Sequence, residues 1–274
     1  MATIDYAKDY SGVIDEKFKE TSKSDSVINK DFDFVGAKTV TVQTVSTSTM
    51  NDYKRTGTNR YGSIEDLNVS SQEMTMEKDR SFTFAIDKMD NDETKRALEA
   101  GKSLARQLRE VVVPEIDAYR FGKIAENAGT TETGALTKTT VYTAITEGTQ
   151  ALDEEEVPVE GRILVVSPGT YKLMKQCPDI EMDTETGMEM RKRGIVAEID
   201  GMPVLKVPTS RLPENTNFII THPIATCSPV KLAEYKIHTD APGISGELVE
   251  GRVYYDAFVL ENKKKAIYVH KTAS

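Results

Sequence analysis

The residues of this 274-residue chain that could do chemistry are three histidines, two cysteines and a few short charged runs. His222, His238 and His270 stand in strand-like or loop contexts with no partner at metal-ligand spacing, so they read as surface or satisfied core residues. Cys177, beside Pro178, and Cys227, before Ser228, read as buried inert thiols in preference to nucleophiles. The run from Asp183 through Glu185 to Gly187 imitates a calcium loop, but its glycine comes at the fifth position and the later ligands are missing. Asp153 to Glu156, beside Pro158, is a solvated helix end. Arg191-Lys192-Arg193 and Lys263-Lys264-Lys265 are too short to outweigh the acidic balance of the chain. No phosphate-binding or dinucleotide glycine loop is present, nor a zinc-protease helix motif or a serine nucleophile elbow. No catalytic, cofactor-binding or metal-ligating residue is assigned, and the chain is not expected to be an enzyme.

The elements that would have held such a site are built for reach instead. Tyr6, Tyr10, Val13, Ile14 and Phe18 recur at helical spacing and are followed by a polar tether, which predicts an arm over residues 1–35. Over residues 36–90 the period falls to two: Val40 and Val42 alternate with threonines, then Met74 and Met76, then Phe82, Phe84 and Ile86. Between these runs lies a polar, turn-rich stretch, and the whole predicts a long two-stranded β-hairpin with a broad tip. An isolated ribbon of this kind is marginal in water, so something must cover the face of Phe82, Phe84 and Ile86. Either the chain's own core covers it or a neighbouring copy does, and the neighbour is the expectation adopted.

Asp92 is a suitable N-cap for the longest helical pattern, in which Leu98, Leu104, Ala105, Leu108, Val111 and Val112 form a stripe. Ile116, Tyr119, Ile124 and Ala125 continue the stripe beyond Pro114, which is expected to kink the helix or begin a second segment. Nine of the ten prolines follow it, from Pro158 to Pro242, and mark a compact mixed α/β region with short loops. That region is expected to hold a helix from Val141 to Leu152, a buried strand in Arg162–Ser167, a hairpin turning at Asp200-Gly201, and closing strands up to His270.

Composition narrows the classes further. Lys and Arg number 35 against 44 Asp and Glu, a net charge of −9 that argues against gripping nucleic acid. No apolar run is long enough to span a membrane, and the charged N-terminus shows no secretory signal, which fits synthesis in a reducing cytoplasm. The apolar fraction, about 40% when Gly is counted and Tyr is not, falls below the ~45–50% usual for globular domains. Extended elements and a lean core together describe a subunit completed by its neighbours.

Several strings in order resemble the major capsid proteins of tailed bacteriophages, the Hong Kong 97-type shell fold. DRSFTFAIDKMDNDET followed by VVVPEIDAYRFGKIAENAG is similar to the passage from extended loop to spine helix in that family. VEGRILVVSPGTYKLM resembles the strand and helix that follow, GIVAEIDGMPVLKVPTSRLP a hairpin of the family, and GRVYYDAFVLENKKKAIYVH its closing strands. The resemblance implies an α+β fold with an N-terminal arm (1–35), an extended β-hairpin loop (36–90) and a spine helix of a peripheral domain (91–130). An axial domain (131–240) and return strands (241–274) follow. It further implies hexamers and pentamers of this chain closing around double-stranded DNA in a virion, with a portal and a separate scaffolding protein. A chain that starts almost directly at the arm is expected to be either a mature product or the partner of a separate scaffolding protein, and Met1 favours the second. Lys54, Arg55, Arg60, Glu65, Asp66, Phe82, Phe84 and Ile86 are the expected inter-subunit contacts. The rivals are an encapsulin-like bacterial nanocompartment shell and, from a different class, an intracellular enzyme with a dispersed site.

Overall fold

The computed structural model describes residues 22–29, 38–89, 100–178, 180, 195–239 and 241–273. The helix read at Tyr6–Phe18, the cap at Asp92, the start of the stripe at Leu98 and the charged loop of Asp183–Arg193 lie outside them. Two compact units divide the chain: Phe34–Met76, and Met1–Asp33 together with Glu77–Ser274.

In the smaller unit, β1 (Thr39–Val45) pairs antiparallel with β2 (Val69–Thr75), in a register running from Thr39 opposite Thr75 to Val45 opposite Val69. Alternation sets this register. Val40 faces Met74 and Val42 faces Gln72, so the less exposed side chains of both strands share one side of the ribbon. Thr39 and Thr75 join hydroxyls at 2.8 Å across the open end.

The larger unit contains a six-stranded sheet of order β4-β13-β8-β5-β7-β6. Its strands are β4 (Thr130–Thr133), β5 (Ile163–Val166), β6 (Ile195–Ile199), β7 (Met202–Lys206), β8 (Thr216–Thr221) and β13 (Ile267–Lys271). Helices cover both faces, which explains why β5 is an unbroken apolar run instead of an alternating one. Ile163 and Val165 pack with Phe121, Ile124 and Ala125 of α2 (Val113–Glu126) on one face. Leu164 and Val166 pack on the other with Val141 and Ile145 of α3 (Val141–Glu154) and Met174 of α4 (Pro168–Gln176). Ser167 caps α4 by accepting the Thr170 N–H at 3.2 Å, with Pro168 supplying the first turn. The β6–β7 hairpin turns at Asp200 and Gly201, both at positive φ (52° and 71°), which suits the twist of two-residue hairpins.

A second, three-stranded sheet has the order β10-β11-β3, built from β3 (Lys78–Asp87), β10 (Val230–His238) and β11 (Gly246–Tyr255). This corrects the sequence reading, which carried the ribbon on to residue 90. The strand bearing Phe82, Phe84 and Ile86 pairs with β11 in the larger unit, not with the ribbon. Ile86 is buried among Leu104 of α1 (Ala100–Gln107), Leu108, Ile116, Tyr235, Val249 and Val253, and Phe82 and Phe84 pack against the same cluster. The face expected to await a neighbour therefore lies on the chain's own core. Gly251, opposite both Phe82 and Tyr235, leaves the space over which those rings stack, 6.2 Å between centroids. A Cβ at Gly251 would run into both rings.

Between α1 and α2 the rod neither breaks nor restarts. A π-helical turn, Leu108–Val112, links them, with the Val113 N–H donating to the Leu108 carbonyl. Pro114 has no N–H for the Glu110 carbonyl, and the wider turn just before it absorbs the missing bond. The same turn carries Val111 out of the apolar stripe, leaving it exposed.

Candidate assembly surface

The residues that could have made chemistry are absorbed by structure. His222 accepts the Ile224 N–H at Nδ1 (3.1 Å), so its Nε2–H faces the Glu160 carbonyl at 2.9 Å. His270 stacks on Phe218, 5.0 Å between centroids, and its Nδ1 lies 3.1 Å from the Asn217 amide. Thr272 donates to Asn217 Oδ1, which turns the Asn217 NH₂ toward His270 and makes Nδ1 an acceptor on a neutral ring. Burial holds the His270 pKa below the ordinary imidazole value, against the opposing pull of Glu132 and Glu147. His238 meets Glu250 on the surface at 3.1 Å. Cys177 and Cys227 are both buried, the first within the α3–α4 core and the second on β9 (Thr226–Cys227), which pairs with β12 (Phe258–Val259). Of the lysine run, Lys264 is paired with Glu261, and Lys265 with Glu155 at 2.6 Å. Among the described residues no cluster of His, Cys, Asp and Glu could hold a metal ion.

The ribbon tip presents a different kind of surface. Lys54, Arg55, Arg60, Glu65 and Asp66 are all exposed there. Local bonds shape the loop that carries them. Lys54 N–H donates to the Arg60 carbonyl (2.9 Å), Arg60 Nε to the Gly57 carbonyl (3.1 Å), and Ser48 to Glu65 (3.1 Å). Tyr53 and Tyr61 meet edge to face at 5.1 Å. The sequence reading named the charges and overlooked the apolar residues between them. Met50 is 98% exposed, Ile64 96% and Tyr61 84%, with Leu67 and Val69 also open to solvent. Large apolar side chains inside a polar, turn-rich stretch were the available signal.

A second group of polar residues is hidden on α2. Asp117 is wholly buried and accepts from Ser22 Oγ (2.8 Å), Lys23 N (2.9 Å), Ser24 N (3.3 Å), Ser24 Oγ (2.6 Å) and Arg211 Nη1 (2.9 Å). Arg120, 4% exposed, donates to Ser24 Oγ (2.9 Å), Asp25 (2.8 Å) and Ser228 Oγ (2.9 Å). Asp256 accepts from Tyr119 Oη (2.7 Å) and from the Glu77 (2.8 Å) and Ala257 (2.8 Å) amides. Burial, then the bond to Asp256, raises the Tyr119 pKa well above the usual phenol value, so Tyr119 stays protonated and donates. Sequence reasoning found none of these contacts, because their partners lie far apart along the chain.

The larger unit holds a six-stranded sheet covered by helices on both faces and a long helix with a π turn, and the smaller unit is a ribbon with an exposed apolar tip. The phage capsid protein family matches residues 71–269, and the chain belongs to that family. Solved structures share the architecture. One from Mycobacterium phage Che8 is 15% identical, with 91% of this chain and 90% of that chain covered at a TM-score of 0.69. The capsid structure of cyanophage P-SCSP1u is 16% identical, with 87% and 84% covered at 0.67. A virus-like particle from Pyrococcus furiosus is 12% identical, with 98% and 100% covered at 0.60. No curated protein matches this chain. The fold is the Hong Kong 97-type shell fold, and the protein is a structural shell subunit of a phage head, a component of the virion.

Proposed function

We propose that this subunit forms hexamers and pentamers that close into an icosahedral head around double-stranded DNA. The ribbon tip would be its principal grip on neighbouring copies. The observation that carries this reading is the tip itself. A two-stranded ribbon that leaves Met50, Tyr61 and Ile64 almost fully in water has reason to bury them, and in a shell the nearest surfaces belong to identical chains. Lys54, Arg55, Arg60, Glu65 and Asp66 then supply the polar rim, each exposed pair worth about 0–1 kcal/mol and sensitive to salt. Many such modest contacts, multiplied over several neighbours, let misplaced subunits leave and correct ones stay.

The same reading gives the subunit no catalytic activity and divides residues 91–130, 131–240 and 241–274 among peripheral and axial parts as the resemblance implies. A net charge of −9 suits DNA packed nearby without being held. A separate scaffolding protein and a portal complete the proposed set of partners. No helix among the described residues is long and apolar enough to cross a membrane. Electron microscopy of the chain expressed with and without its scaffold and portal tests the reading. Closed shells with five-fold and six-fold clusters are expected, and a discrete monomer under all conditions would overturn it.

A further inference from the structure

Two stretches of the larger unit flank the ribbon in sequence: the segment ending at Asp33, and Glu77. In the first, Ser22–Ser24 are bonded to Asp117 and Arg120 of α2, and Glu77 is bonded to Asp256, which accepts from Tyr119 of the same helix. We propose that Asp117, Tyr119 and Arg120, together with Ser228 and Asp256, form a clasp that couples the segment Ser22–Asn29 to the ribbon's return at Glu77. Loosening either root then loosens the other. The clasp is a positioning device for assembly, and that last step rests on the shell reading.

The argument is the continuity and direction of the bonds. Lys23 and Ser24 amides end on Asp117. The Ser24 hydroxyl donates to Asp117 at 2.6 Å and so accepts from Arg120 Nη1 at 2.9 Å. Arg120 Nε donates to the Ser228 hydroxyl at 2.9 Å, which donates to the Asp256 carbonyl at 2.6 Å. The Asp256 carboxylate takes the Tyr119 hydroxyl on one oxygen and the Glu77 amide on the other, at 2.7 and 2.8 Å. Each hydroxyl in this path has one proton, already committed, so no member can turn without breaking a bond to the next.

Apolar packing alone would hold the arm segment in place. Val27 is buried in the α2–sheet core, and the Thr226 hydroxyl donates to the Val27 carbonyl at 2.6 Å. Burying Asp117 and Arg120 adds a desolvation cost that packing does not require. The return is directional: Asp117 and Arg120 keep their full set of partners only with the arm segment seated, Asp256 only with Glu77 seated, and the Arg120–Ser228–Asp256 bonds join the two, so the coupling is reciprocal.

Hydrogen exchange resolved to single amides in the full-length chain tests the coupling. Tyr119→Phe keeps the ring and removes only the hydroxyl bond to Asp256, on the Glu77 side, and Ser24→Ala removes only the hydroxyl bonds to Ser22, Asp117 and Arg120, on the arm side. Each variant is expected to speed exchange at both Ser24 and Glu77 by about tenfold or more, while Val165 and Ile219 in the six-stranded sheet stay protected. Acceleration confined to the mutated side would overturn the clasp. Asp117→Asn adds the assembly readout, a fall in closed shells under conditions where the unaltered chain closes. An equal yield of shells from a variant with both roots loosened would refute the positioning role. If the unaltered chain closes no shells, the shell reading fails, and the exchange data still decide the coupling.

Discussion

Asp117 illustrates how this chain treats a buried charge: a fully enclosed carboxylate met by Arg211 and by hydroxyl and amide donors from a segment more than ninety residues away in sequence. Removing one member of such a set strands the rest without water. Asp117→Ala is therefore expected to lower unfolding stability by about 3–5 kcal/mol in urea titration. The exposed Arg252–Asp79 pair is bidentate but wet, and Arg252→Ala should change little by the same measurement. His270 sets a pH dependence. Its folded pKa lies below the ordinary 6.5 because burial disfavours the charged ring, so the unfolded chain binds the proton more readily. The stability it confers is present above pH 6.5 and falls as pH drops from there through the folded value. His270→Phe should keep the stack on Phe218 and flatten this acid limb in melts taken across pH 4–7.

At the scale of elements, the decisive placement is β3. Read as ribbon, it would make Phe84→Asp an assembly mutation. Paired with β11 and packed against the cluster that includes Leu104 of α1, it makes the same change a folding mutation, because the charge would stand against Leu104, Val249 and Val253 at a half-buried position. A loss of about 2 kcal/mol or more in subunit stability is expected by denaturant titration. Undiminished stability with failed shells would return this strand to the intermolecular role. The α1–π–α2 rod shows the same dependence on context. Pro114 predicts an interruption, and the neighbouring π turn converts it into a continuous helix with a shifted face.

For the whole molecule, the consequence is a division of labour. Among the described residues the larger unit carries three apolar clusters, three sheets and the polar cluster on α2. The smaller one is a ribbon with an exposed apolar tip. Deleting residues 46–70 is expected to leave the larger unit folded, with an unchanged thermal transition, and to abolish closed shells in electron micrographs. Normal shells from that deletion would remove the tip from the assembly mechanism. The low apolar fraction of the sequence agrees with the same division, since the large apolar side chains of the tip are exposed.

Much of this architecture is legible in local pattern. Alternation in β1 and β2 states which side chains share a face, the unbroken Ile163–Val166 run announces a strand covered on both sides, and Asp200-Gly201 names its own turn. Helix α3 begins where the sequence pattern starts it, at Val141. These features depend on neighbours within a few residues, so the sequence alone determined them. The partner of β3 is another matter: a period of two tells a strand which face is apolar but not which edge it joins. Nor could Asp117 and Arg120 be distinguished from surface charges on a long helix. What buries them is chain brought from residues 22–25, 211 and 228, and only the tertiary structure supplies it. Local periodicity encodes the elements of this shell subunit, whereas long-range burial and polar pairing decide which of its faces are closed and which stay open to solvent.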